Sequence, residues 1–185
     1  MKTVSYLKLM AGALLLYSAL AQLFSHQTWW FIQNVNLIFH EAGHIFLMFF
    51  GHTIHLLGGS LFEISIPLLI TLYFFANRQF FSAAFGAWWL STALHSVSIY
   101  VADAREQALP LLGGNAVTHD WHALLSGWSL LNYDAVLGYV LWVAALCSAL
   151  FITYFLYRDK DVTLLVQRYF NHHPAHTHET HFTQH

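Results

Sequence analysis

The chain has 185 residues, 57% hydrophobic and 17% aromatic but only 9% charged, with a mean hydropathy of +0.51. An average soluble domain carries roughly 25% charged residues, so this composition excludes an ordinary soluble domain and points to a small polytopic membrane protein. The formal net charge of −2 says nothing about nucleic acid, but the sequence has no basic patch to bind it, so no nucleic-acid partner is expected. Cys147 stands alone, so any metal site must rest on His, Asp and Glu rather than on thiolates.

Taken in order, Met1–Phe24 opens with Lys2 and Lys8 and continues into an apolar run. Ala19-x-Ala21 resembles a signal cleavage site, but the lysines equally suit a cytoplasmic anchor, and the segment is read as a retained first transmembrane helix. Trp29 and Trp30 read as interfacial anchors before a helix that runs to about Phe50 and is ended by Gly51. Residues His52–Ser60, with His52-x-x-His55 and Gly58-Gly59, are expected to form a loop with solvated histidines. Leu61–Ala76 is apolar but contains Pro67, which predicts a kink, and Glu63, which faces either the polar interior or the interface. Phe80–Ala102 is the next span, with His95 expected to join helices by hydrogen bonding, a ligand role being the alternative.

Asp103–Glu106 marks an exit from the membrane, and Pro110 and Gly113-Gly114 predict a loop or a broken segment. The cluster His119-Asp120-Trp121-His122 follows, capped by Thr118, and leads into a short apolar stretch to Asn132. About 20 apolar residues are needed to span a bilayer, so a discontinuous crossing from about Ala108 to Asn132 is expected. Asp134–Tyr157 is the final span, stopped by Arg158-Asp159-Lys160. The expected fold is therefore an all-α membrane bundle of about six segments, one of them discontinuous, over residues 1–160. Residues 161–185 form a tail rich in histidine (His172, His173, His176, His178, His181, His185), expected to be flexible past Asn171. Six crossings with both termini cytoplasmic put Lys2, Lys8, Arg105, Arg158, Lys160 and Arg168 inside and only Arg78 outside. That topology brings His44 nearer the cytoplasmic face, and the expected setting is a cell membrane of the bacterial inner-membrane type.

The chemistry lies in Phe39–Phe50, F-H-E-A-G-H-I-F-L-M-F-F. On a helix, His40 and His44 are one turn apart and present their imidazoles to one side, a spacing suited to two positions on Zn²⁺. Glu41 is placed to act as general base on a water whose pKa the metal lowers. Gly43 lets another backbone or a substrate approach closely. Ionisable groups within an apolar helix are costly, which makes them functional candidates. A catalytic zinc needs a third protein ligand and an open position. Asp120 is the first choice, with His119 and then His122 as rivals; whichever does not ligate can support the ligands or an oxyanion.

His40-Glu41-Ala42-Gly43-His44 within a membrane helix resembles the site-2 protease family of intramembrane zinc metalloproteases, and Gly58-Gly59 with Pro67 resembles its small membrane peptidase-like branch. The resemblance implies that His40 and His44 are zinc ligands and Glu41 is the base. It also implies a ligating aspartate in a later segment, within N-x-x-P-x-x-x-L-D-G. The chain has no L-D-G, so the aspartate role falls to Asp120 by order and chemistry. The expected activity is hydrolysis of a membrane protein or peptide substrate, with the lipid bilayer as surroundings. Two other readings compete. A di-iron oxygenase or desaturase would use His40/His44, His52/His55 and His119/His122; a non-enzymatic metal-handling protein would use the tail to collect ions.

Overall fold

A computed structural model describes residues 2–25, 31–112 and 117–172. Trp29 and Trp30, the Gly113-Gly114 pair and the tail from His173 lie outside the described residues. The chain is all-α, with no strand among the described residues. Its helices are α1 (Lys2–Phe24), α2 (Phe31–Leu47), α3 (His52–Ala76), α4 (Phe80–Ala102), α5 (Asp120–Gly127), α6 (Asp134–Arg158) and α7 (Lys160–His172). Short 3-10 turns at Met48–Phe50 and Leu131–Tyr133 follow α2 and precede α6.

Among the described residues, three stretches are long and apolar enough to cross a membrane: Thr3–Phe24, His52–Ala76 and Leu131–Arg158. Their outer faces carry large apolar side chains open to the surroundings, such as Met10 at 69%, Leu14 at 66% and Tyr139 at 64% exposure. Such a belt is consistent with an integral membrane protein. Helix α4 is as long, at 23 residues, but its polar residues face protein. Ser91 Oγ donates to the Ala145 carbonyl (2.8 Å), and Ser148 Oγ of α6 donates to the Ala87 carbonyl (2.9 Å). Ala83, Ala84, Ala87 and Ala93 are fully buried. Small residues let neighbouring helices approach closely, and α4 is the post around which α1, α2, α3 and α6 stand.

Side-chain pairings give the helix directions. Gly138 packs on Ser98 and Ala102, while Ser91 meets Ala145 and Ser148 meets Ala87, so α6 runs antiparallel to α4. Trp142 Nε1 donates to the Leu23 carbonyl (3.1 Å), and Lys8 reaches Asp159 (3.1 Å), so α1 is antiparallel to α6. Gly86 packs on Thr71 and Phe75 on Phe80, so α3 is antiparallel to α4. Gly43 meets Gly58 while His40 meets Glu63, so α2 is antiparallel to α3. Helices α1, α2 and α4 therefore share one sense. A chain that crosses six times in succession must reverse at every step, and α1 to α2 does not.

The ends of the bundle differ in charge. Lys8, Arg78, Arg158, Asp159, Lys160 and Asp161 cluster at one end, where Lys8 also bonds Asp161 at 2.6 Å. Arg78 was expected opposite to Lys8; the hairpin of α3 and α4 instead returns it to the same end. Arg105 lies at the other end, its Nε 2.8 Å from both oxygens of the buried Asp134.

The expected loop at His52–Ser60 is instead the first part of α3. Gly58 and Gly59 do not break that helix; they bring it against α2. A Cβ on Gly58 would lie 2.6 Å from the Gly43 carbonyl oxygen, and one on Gly43 would overlap the Gly58 carbonyl. Gly43→Ala is therefore expected to lower stability by about 1–3 kcal/mol through overpacking, read as a fall in the thermal midpoint. Gly127→Ala, with open space around the added methyl, should leave it unchanged; equal midpoints would show that the two backbones are not in contact.

Candidate metal centre

Helix α2 presents His40 and His44 from successive turns, and α3 fixes both rings from behind. His40 Nδ1 donates to Glu63 Oε2 at 3.0 Å. His44 Nδ1 donates to the His55 carbonyl at 2.8 Å, and His55 Nδ1 returns a bond to the His44 carbonyl at 3.0 Å. With each Nδ1 occupied, both Nε2 atoms turn to the same point. There they meet Asp120, the first residue of α5, whose Oδ2 is 3.3 Å from His40 Nε2 and 3.2 Å from His44 Nε2. Tyr100 of α4 holds this aspartate twice. Its hydroxyl donates to Oδ2 (3.1 Å) and accepts from the Asp120 backbone N–H (3.1 Å). Trp121 Nε1 donates to Ser60 Oγ at 2.9 Å, tying α5 to α3.

His40, His44 and Asp120 form a group that could hold one metal ion, each offering a ligand atom within 4.8 Å of the others. A tetrahedral zinc with bonds of about 2.0–2.1 Å has ligand-to-ligand edges of about 3.3–3.4 Å. The two nitrogen-to-oxygen separations match such edges. Gly59 leaves the space free, since a Cβ there would overlap His40 Nε2 and lie 2.6 Å from His44 Nε2. Two nitrogens, one carboxylate oxygen and an open side suit a divalent cation such as zinc.

The other expected residues are placed as follows. Glu41 does not join the three ligand atoms but lines the same cavity, of about 820 Å³, together with His52, His55 and His95. The histidines at 52 and 55 are thus on a helix facing the site rather than on a solvated loop. His119 turns away from the group. Its Nδ1 accepts from the His122 N–H (3.2 Å), which makes it, rather than Thr118, the cap of α5. Its ring lies 4.2 Å from that of Tyr100, and its Nε2 is 3.4 Å from Asp103. His122 donates through Nδ1 to the Ala104 carbonyl (2.8 Å). Both histidines anchor the loop that delivers Asp120.

Sequence reasoning missed Tyr100, Gly59 and the partner of Glu63. An acid within an apolar run was a signal for Glu63, but its pairing depends on the α2–α3 register. The chain matches no family model, no curated protein and no solved structure.

Proposed function

We propose that the chain is a membrane-embedded zinc peptidase, with His40, His44 and Asp120 as ligands and Glu41 as general base. The observation that carries this reading is the convergence of both Nε2 atoms and Asp120 Oδ2 in a cavity that Glu41 also lines. Zinc bound there would act as a Lewis acid and bring the pKa of water toward about 7. Glu41 takes the proton from the water that attacks a peptide carbonyl and delivers it to the departing amine as the C–N bond breaks. Tyr100 keeps Asp120 in position, and Leu37, Leu56 and Ile99 form apolar walls that limit bulk water. The same donor set holds iron(II) in some oxygenases. Glu41, not needed as a ligand, favours hydrolysis, and only one metal-binding group is found among the described residues, whereas a di-iron centre needs two.

The arrangement in the membrane follows from the charge at the ends. Lys8, Arg78, Arg158 and Lys160 share one end, which the positive-inside rule assigns to the cytoplasm, together with the start of α1 and the whole of α7. The metal centre lies toward the other end, where α2 finishes and α3 begins. It therefore sits in the outer half, not nearer the cytoplasm. Helices α1, α3, α4 and α6 cross, while α2 and α5 enter without crossing.

Two measurements test this. Metal analysis of the purified protein, with and without residues 173–185, is expected to give one zinc per chain in both forms. One iron, or zinc lost with the tail, would defeat the assignment. A cysteine at His52 in a Cys147→Ser background should react with an impermeant maleimide added outside intact cells; labelling from the cytoplasmic side alone would reverse the orientation.

A further inference from the structure

Glu63 is 4% exposed, lies within a helix long and apolar enough to cross a membrane, and lines the cavity of the metal centre. A carboxylate in such surroundings is costly unless opposite charge or hydrogen bonds offset the loss of water. Oε2 accepts from His40 Nδ1 at 3.0 Å, while the buried Oε1 has no hydrogen-bond partner among the described residues. A single hydrogen bond, made through only one of its two oxygens, is a small return for a buried carboxylate.

The two histidines also differ. Behind His44 stands a backbone carbonyl, which carries no net charge. Behind His40 stands a carboxylate. Glu63 follows Gly59 by one helical turn, so one face of α3 both leaves room for the two Nε2 atoms and supplies the acceptor behind one ring.

We infer that Glu63 is a positioning residue of the metal centre, its buried carboxylate orienting His40 and raising the affinity for a divalent cation. This rests on the zinc reading above. A carboxylate behind a ligating imidazole fixes the tautomer with Nε2 free and makes that nitrogen a stronger donor. The cation in turn supplies the positive charge that the half-paired carboxylate lacks. Helix α3, which contributes no ligand, thereby becomes half of the binding site.

The test is a series at this position, with zinc affinity measured by chelator competition and the thermal midpoint measured on metal-free protein. Glu63→Gln keeps the shape and can still accept from His40, but removes the charge. Glu63→Met removes the acceptor as well. Loss of such a partner costs about 10–100-fold in metal affinity, so Glu63→Gln is expected near the lower figure and Glu63→Met near the upper. Zinc content at saturation should stay at one per chain. The metal-free midpoint of Glu63→Gln should stay close to that of the wild type, because the amide keeps the shape and still accepts from His40 Nδ1. Equal affinities across the series, or a weakening matched by a fall in the metal-free midpoint of Glu63→Gln, would overturn the role of Glu63 alone. A wild-type protein that binds no zinc would overturn it together with the metal reading.

Discussion

Glu41→Gln is expected to lower peptide hydrolysis by about 10²–10⁴-fold, the range of general-base catalysis, while zinc content stays at one per chain. The amide keeps the shape of the side chain but cannot take the proton. Glu41 lies outside the group formed by His40, His44 and Asp120, so its replacement should leave the ligands in place. His44→Ala should behave differently and lose zinc together with activity, because one of the converging nitrogens is gone. Full hydrolysis by Glu41→Gln of a membrane peptide that the wild type cleaves would end the hydrolytic reading. Loss of zinc from Glu41→Gln would make it a ligand or the support of one.

Gly59→Ala should be nearly as damaging, although it alters no ligand and adds only one methyl group. That methyl would overlap His40 Nε2 and stand 2.6 Å from His44 Nε2, where the cation must sit. The rings can escape only by rotating off the Nδ1 bonds to Glu63 and the His55 carbonyl that aim them. Zinc affinity should fall by more than about 100-fold, beyond the range for loss of a supporting group. The helix content should be unchanged by circular dichroism. Gly59→Ala protein that retains stoichiometric zinc at wild-type affinity would mean that the ion binds elsewhere.

Much of this fold was legible in the sequence. The bounds of α4 were read as Phe80–Ala102, and those of α6 to within one residue, because long apolar runs ended by charge leave little choice. The α2 histidines and Asp120 were singled out because ionisable groups are rare and costly in such runs. Gly58-Gly59 was misread because a glycine pair serves equally as a turn and as a seam between helices, and only the facing Gly43 decides between them. Helix directions were misassigned for a similar reason. Hydropathy marks segments but does not say which segments are neighbours, so Arg78 was placed opposite Lys8. His119 was a reasonable ligand by type, yet its Nδ1 was already taken by the first turn of α5.

The contacts of α1 bear on how the protein is made. Helix α1 precedes the others described; Trp88 of α4 can meet its Ser18 early, but its partners Trp142, Leu156 and Asp159 belong to the last third of the chain. At translation rates of about 5–20 residues per second, α1 waits on the order of ten seconds for α6. Meanwhile α2, α3, α4 and α5, which carry every residue of the metal centre, have all been synthesised and can pair among themselves. The centre is thus available to be built before the bundle closes, and the arrival of α6 and α7 seals an already formed unit. On the zinc reading proposed above, a nascent chain stalled shortly after α5 should therefore already bind the ion.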